Sequence, residues 1–337
     1  MYLKKLIRKK LNLRNFIFEL TQNCNQNCNY CYNVWKHNDY PKGNLDVDDW
    51  KKIVLKLKEE TKIKKISLSG GEPLLYPRIY ELVNFIKEQN IVINLLTNGN
   101  LIDEKTAGKL KDKIDIFEIP LISYDKKMHQ ELKGVDDFDK VINGIVNIDN
   151  IDGKIITVFV ATKKNIYDIK KTVEFGIALG SKGLMFNRIN PACKEHIELM
   201  PSKKQISDAL IFLNNFSKKY NYPVSCSIPM QPCIVNMEYY PKISHGYCPS
   251  GDKRSYYTID SIGNVRICNH SQTILGNILN ESFSKIIEHN FVDKFKKAIP
   301  NYCISCKYSS ECRGGCKASA QVCYNNLSEE EPFLKVN

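Results

Sequence analysis

Thirteen cysteines in a chain of 337 residues constrain this sequence more than any other feature, because they come in groups. Cys24, Cys28 and Cys31 stand in C-x3-C-x2-C spacing within ELTQNCNQNCNYCYN, and seven more run from Cys248 to Cys323. A disulfide framework belongs to short secreted chains with a signal sequence. Here the first residues, MYLKKLIRKKLNLRNFIFEL, are basic but have no continuous apolar run and no small-residue cleavage site. Grouped cysteines in an intracellular chain point instead to metal, which does not consume thiols in pairs. No stretch reaches the 18 or so apolar residues of a spanning helix. The expectation is a cytoplasmic protein with no membrane partner.

The pattern between the cysteine groups is α/β. Strand-like runs FIFELT (16–21), KISLSG (65–70), INLLTNG (93–99), IDIFEIPLI (114–122), IITVFVAT (155–162) and GLMFNRI (183–189) alternate with helical patterns near 47–60, 77–89, 103–111, 137–149 and 165–179. Asp46 or Asp48 is positioned to cap the first helix and Asn165 the last. Such alternation describes a parallel sheet with right-handed crossovers. It leaves open whether the sheet is flat or curls into an incomplete barrel. A further helix is expected over 202–219, and the texture changes near 221 to cysteines, prolines and short apolar runs. The expected divisions are 1–200, a bridging helix at 201–222, a cysteine-rich domain at 223–325 and a frayed tail at 326–337.

The triplet follows the first strand directly, and a loop this short wraps three thiolates around one cubane. It leaves the fourth iron without a protein ligand, which is a catalytic rather than a structural arrangement. The competing reading is a zinc site completed by His37, although zinc knots use C-x2-C pairs. After the second strand comes SLSGGEPLL, with Gly70, Gly71, Glu72 and Pro73. The triplet, with Tyr30 before its last cysteine, and this GGEP turn together resemble the radical S-adenosylmethionine superfamily. The resemblance implies a partial (β/α)6 TIM-like barrel. It also implies that the open iron chelates the methionine moiety, and that reductive cleavage of S-adenosylmethionine gives a 5′-deoxyadenosyl radical. Glu72 would then face the methionine amino group, with the glycines letting backbone approach it. Asn98 and Ser123 resemble family contacts to the ribose and the methionine carboxylate, and Arg188 is placed to pair with that carboxylate. His129 matches a recurring family position, where a packing role is expected.

The second group reads Cys248, Gly263-x4-Cys268, Cys303-x2-Cys306-x5-Cys312-x3-Cys316 and Cys323. It resembles the seven-cysteine SPASM extension, against a zinc-ribbon alternative. The resemblance implies two auxiliary [4Fe–4S] clusters beside the catalytic one, three in all. One would take Cys248, Cys268 and Cys316, and the other Cys303, Cys306, Cys312 and Cys323. Cys233 is the candidate for the missing ligand of the first set, with Cys226 next. Failing both, an open iron would be left for a substrate thiolate.

SPASM enzymes commonly modify ribosomally made peptides, so a crosslink, epimerisation or oxidation of a precursor peptide is expected. Asn269 stands where sulfatase-maturating relatives have an aspartate after the cysteine, which disfavours that reaction. The barrel begins at once, so a leader peptide would bind the core or a separate recognition protein. The clusters call for a reductant such as flavodoxin or ferredoxin. A tetrapyrrole precursor is the alternative substrate, and a non-catalytic electron carrier the alternative class. Cys193, after the sixth strand, is a candidate hydrogen donor. The net charge of +12 is spread along the chain, which reads as a solvated basic surface and not a nucleic-acid footprint. Three clusters would reduce it to roughly +7.

Overall fold

A computed structural model describes residues 10–36 and 39–336. The basic segment 1–9 and His37 lie outside the described residues. In chain order the first part contains β1 (Asn15–Glu19), α1 (Val47–Glu60), β2 (Lys65–Ser69), α2 (Ile79–Glu88), β3 (Val92–Leu96), α3 (Glu104–Leu110) and β4 (Ile116–Pro120). There follow α4 (Lys126–Lys133), α5 (Phe138–Asp149), β5 (Ile155–Ala161), α6 (Ile169–Ala178), β6 (Gly183–Arg188) and α7 (Lys203–Tyr220). Strands β1 to β6 pair in parallel and in sequence order, as right-handed βα crossovers require.

The two-residue period of each strand divides its side chains between two surroundings. Phe18, Leu68, Ile93, Leu95, Phe117, Ile119, Phe159 and Phe186 are buried on the helix side. Phe18 stacks on Trp50 of α1 with ring centroids 4.8 Å apart. The alternate positions Ser67, Asn94, Glu118, Val158 and Met185 line a cavity on the inner face. The polar Ser67, Asn94 and Glu118 explain why β2 to β4 read as alternating, whereas Val158 and Met185 leave β5 and β6 more continuously apolar. Asp46 caps α1 by accepting the Asp49 N–H. Asn165 caps nothing. Its Nδ2 donates to the Ile122 and Val160 carbonyls, tying β4 to β5, and α6 starts only at Ile169.

The cysteine-rich part does not stand off from the parallel sheet: β7 (Val224–Ser225) and β8 (Ile243–Ser244) extend beyond β6, while β9 (Tyr256–Ile259) pairs in parallel with β1. With β10 (Asn264–Arg266) and β11 (Ile274–Asn277) the order is β11-β10-β9-β1-β2-β3-β4-β5-β6-β7-β8, one sheet of eleven strands. The short helices α8 (Phe283–Ile286), α9 (Asn290–Lys297), α10 (Ser309–Cys312), α11 (Lys317–Tyr324) and α12 (Pro332–Lys335) complete this part, with α8 packed on β11 and α12 on α11.

Nor is the tail frayed. Glu331 and Phe333 are fully buried, and both engage Arg188 at the end of β6. The Arg188 Nη2 donates to Glu331 Oε1 at 2.7 Å, and the guanidinium lies 4.4 Å from the Phe333 ring centroid. Removing one partner of a buried ion pair strands the other charge. Glu331→Ala is therefore expected to lower unfolding free energy by about 3–5 kcal/mol in a urea titration.

Candidate active site and the cysteine groups

The cysteine loop is held between two backbones. On one side the GGEP turn lies directly on it: Gly71 N–H donates to Thr21 O and Glu72 N–H to Asn23 O, both at 2.8 Å. A Cβ on Gly70 would sit 2.5 Å from Thr21 O, and one on Gly71 would sit 2.1 Å from Asn23 O. Gly70 also has a φ of +127°, which side chains disfavour. These glycines thus permit contact between the turn and the loop. On the other side Asn27 and Asn29 donate N–H to the carbonyls of Lys133 and Leu132, at the end of α4. A Cβ on Gly134 would sit 2.5 Å from Asn27 O. Below the loop, Gln26 Nε2 donates to Asp137 Oδ2 at 2.6 Å, and buried Lys133 Nζ donates to Gln26 Oε1 at 3.2 Å. Sequence reasoning missed α4, Gln26, Lys133 and Asp137. The available signals were Asp125 as N-cap and Gly134 as a left-handed C-cap.

Cys24, Cys28 and Cys31 all line the inner cavity, of about 410 Å³. Burial raises the Cys24 thiol and pushes Cys31 up to about 11. Iron binding must therefore expel protons from them. Among the described residues no three His, Cys, Asp or Glu side chains close around a single ion. Three thiols on one loop facing a cavity fit a cubane corner, whose cage spreads its ligands more widely than one ion does.

Glu72 is fully buried, with its carboxylate accepting from Leu74 N–H (3.0 Å), Thr97 Oγ1 (2.8 Å) and Asn98 N–H (2.8 Å). It ties the GGEP turn to the loop after β3, which corrects its expected role as the partner of a bound amino group. Burial still raises its pKa above the ordinary value, against these donors. Pro73 opens the single 3₁₀ turn that follows. Asn98 lines the cavity, and its Nδ2 donates to Asn25 Oδ1 in the cysteine loop at 2.7 Å.

Two expected contacts are redirected, those of Ser123 and Arg188, while His129 packs. Ser123 is fully buried, donates to Asp168 and does not line the cavity. Arg188 reaches the cavity wall but commits its guanidinium to Glu331 and to the Pro229 carbonyl. His129 packs edge-on against Phe138, with centroids 5.1 Å apart.

Burial, then the charge of Lys133, lowers the His129 pKa from 6.5 to about 3. The unfolded chain takes up that proton first. Stability is therefore full above 6.5 and falls away as pH drops below it toward the folded value. Relative to His129→Leu, the wild type should lose about 1.4 kcal/mol between about pH 7.5 and about pH 5.5 in paired urea titrations.

A second cavity, of about 210 Å³, adjoins the first, and Asn190, Ser227, Tyr256 and His270 line both. Cys226, Cys248, Cys268 and Cys316 line the second. Asn190 Nδ2 donates to Cys316 Sγ at 3.4 Å, and the Tyr32 and His270 rings lie 4.5 Å apart between the cavities. Cys233 does not join this set, contrary to expectation: its electrostatic neighbours are Cys303, Cys306 and Cys312. The turn bearing Cys233 and the turn before Cys303 both pack on the glycine pair after Cys312. Cys323 stands apart beside Cys193, its Sγ donating to Cys193 O at 3.5 Å. Cys193 interacts with Glu195 and lines neither cavity, so its expected place at the radical site is corrected. Among the described residues no helix is long and apolar enough to cross a membrane.

Comparison with known proteins agrees with this geometry. The radical SAM superfamily model matches residues 18–176, and the iron–sulfur cluster-binding SPASM domain matches 248–313. The chain is 25% identical to an AdoMet-dependent heme synthase of Methanosarcina barkeri, over 95% of each chain. It is 24% identical to a mycofactocin maturase of Mycolicibacterium smegmatis, over 90% of this chain and 77% of that one. The fold is similar to that of anSMEcpe with bound AdoMet (TM-score 0.76, 20% identity, 96% of this chain and 91% of that one). The cysteine loop, the GGEP turn seated on it, the parallel partial barrel and the cysteine-rich extension together make this chain a radical S-adenosylmethionine enzyme with an iron–sulfur SPASM domain.

Proposed function

We propose that this enzyme modifies a ribosomally made peptide by crosslinking, epimerising or oxidising one of its residues, in the cytoplasm, where its thiols stay reduced. In this reading Cys24, Cys28 and Cys31 hold a [4Fe–4S] cluster, and that cluster with S-adenosylmethionine supplies the radical. The chain's own residues seat the loop, exclude water and orient substrate. The observation that carries the peptide reading is the chemistry of the cavity wall. Asn33, Asn94 and Asn190 line the cavity, and each has a buried amide oxygen with no hydrogen-bond partner in the protein. Such oxygens suit the N–H groups of a peptide backbone, because unmet buried acceptors favour a ligand that donates to them. The mycofactocin maturase, by its name, acts in the same chemical class.

The heme synthase similarity favours a second reading, a tetrapyrrole substrate. Tetrapyrrole carboxylates call for free cations. Of the four cations lining the cavity, Lys133 is bonded to Gln26 and Arg188 to Glu331, leaving Lys36 and Lys65. Those two lysines would serve a tetrapyrrole's carboxylates, so it is the unpartnered amide oxygens of Asn33, Asn94 and Asn190 that favour the peptide reading. The test is anaerobic turnover of reconstituted, reduced enzyme with peptides encoded beside its gene and, separately, with tetrapyrrole precursors. A peptide mass change or deuterium uptake coupled to 5′-deoxyadenosine release supports the proposal. Coupled turnover of a tetrapyrrole alone overturns it. A flavodoxin or ferredoxin would supply the electron, and a separate recognition protein would present the leader.

A further inference from the structure

We propose that the auxiliary region holds two complete four-thiolate cluster sites that differ from the SPASM pattern: Cys226 with Cys248, Cys268 and Cys316, and Cys233 with Cys303, Cys306 and Cys312. Cys323 belongs to neither. The inference rests on the iron–sulfur reading above and goes beyond it in naming the ligands.

The first site is a cavity with a cysteine on each side. Cys226 directly follows β7, where its N–H donates to Ser244 O at 2.8 Å, so the β7–β8 pairing fixes its position. Cys248 precedes β9, Cys268 follows β10, and Cys316 is the N-cap of α11. Both ends of the sheet extension thus deliver thiols to one cavity of about 210 Å³.

The second site is organised by Gly314 and Gly315, which follow Cys312 with φ of +83° and +87°. A Cβ on Gly314 would lie 2.4 Å from Pro300, and one on Gly315 would lie 2.0 Å from Gln231 Nε2. Each neighbour starts a cysteine-bearing turn. Pro300 O accepts the Cys303 N–H at 2.8 Å, and Cys303 O accepts the Cys306 N–H at 3.2 Å. Gln231 O accepts the N–H groups of Ile234 and Val235, both at 2.9 Å, which closes the turn carrying Cys233. The glycine pair therefore clamps both turns against Cys312. Neither amide atom of buried Gln231 has a partner in the protein, which leaves its N–H free for a cluster sulfur.

Cys323 faces elsewhere. It is seven residues beyond Cys316 on α11, about 10 Å along the axis, and its thiol meets the Cys193 carbonyl and Ser319. With four thiolates on each auxiliary cluster, no auxiliary iron is open to a substrate thiolate. The open-iron alternative then falls away.

The test uses full-length protein reconstituted anaerobically in a Cys24→Ala/Cys28→Ala/Cys31→Ala background, so that only auxiliary clusters contribute. Iron and sulfide are counted, and EPR spectra are recorded oxidised and reduced. The background protein should bind about eight iron. Cys323→Ser should retain all of it with unchanged spectra. Cys226→Ser and Cys233→Ser should each lose up to about half, or give a [3Fe–4S] signal on oxidation. Loss of iron in Cys323→Ser, or full iron with unchanged spectra in Cys233→Ser, overturns the assignment while leaving the enzyme class intact. Should Cys233→Ser fail to fold, the Cys323→Ser count alone decides. A background protein that takes up no iron overturns the iron–sulfur reading itself.

Discussion

Alanine at Cys24, Cys28 or Cys31 is expected to abolish 5′-deoxyadenosine release from reconstituted, reduced enzyme, with a loss greater than about 100-fold. The reason lies in how the loop divides its work. Its backbone is already held by the GGEP turn and by α4, through Glu72 N–H to Asn23 O and Asn27 N–H to Lys133 O. The three thiols are what remains to meet the cluster, and no other cysteine lines the same cavity. Lys133→Met provides the graded comparison. Lys133 is not a ligand but holds Gln26 beneath the loop from a fully buried position. Loss of such an outer partner costs about 10–100-fold, and iron content should fall less than in the cysteine variants. Quantifying 5′-deoxyadenosine and iron in the same samples checks both. Equal losses in all four variants would mean that the loop acts only as structure.

Gly71→Ala is expected to be nearly as severe, although it removes no chemical group. The added methyl would sit 2.1 Å from Asn23 O, a rigid backbone atom one residue before Cys24. The loop and the GGEP turn must then part, breaking Gly71 N–H to Thr21 O and Glu72 N–H to Asn23 O. Overpacking of this kind costs about 1–3 kcal/mol. The displaced loop would also carry its thiols away from the cavity. The expected result is a lowered urea midpoint together with loss of the cluster bound by the triplet and of S-adenosylmethionine binding. Gly108→Ala, with nothing within 4 Å of its added methyl, is the matched control and should keep both. An unchanged Gly71→Ala protein would show that the contact between turn and loop is dispensable.

The catalytic half was legible in the sequence because its signals are local. Strand periodicity, the C-x3-C-x2-C spacing and the GGEP turn each lie within one segment, and β1 to β6 fall where alternation put them. What escaped depends on contacts across the chain. Helix α4 has eight residues, four of them lysine or histidine, so its single buried stripe of His129, Leu132 and Lys133 gives little periodic signal. In the tail, Glu331 and Phe333 sit in a run of acidic residues that reads as solvated. Only the approach of Arg188 from 143 positions away gives them a site. The separations of Cys226 and Cys233 from their neighbours are equally uninformative. Which set each joins depends on the β7–β8 pairing and on Gly314 and Gly315. Glu72 and Arg188 were recognised as important for the wrong partner. A polar residue at a strand end looks the same in sequence whether it faces a ligand or the protein.

The most direct test of the account is the EPR spectrum of the reduced enzyme with and without S-adenosylmethionine, recorded for wild type and for the triple-alanine variant of Cys24, Cys28 and Cys31. The account predicts one cluster signal whose g-values shift when S-adenosylmethionine is added, and the loss of that signal in the variant while the others remain. A spectrum indifferent to S-adenosylmethionine, or a responsive signal that survives without the three cysteines, contradicts it.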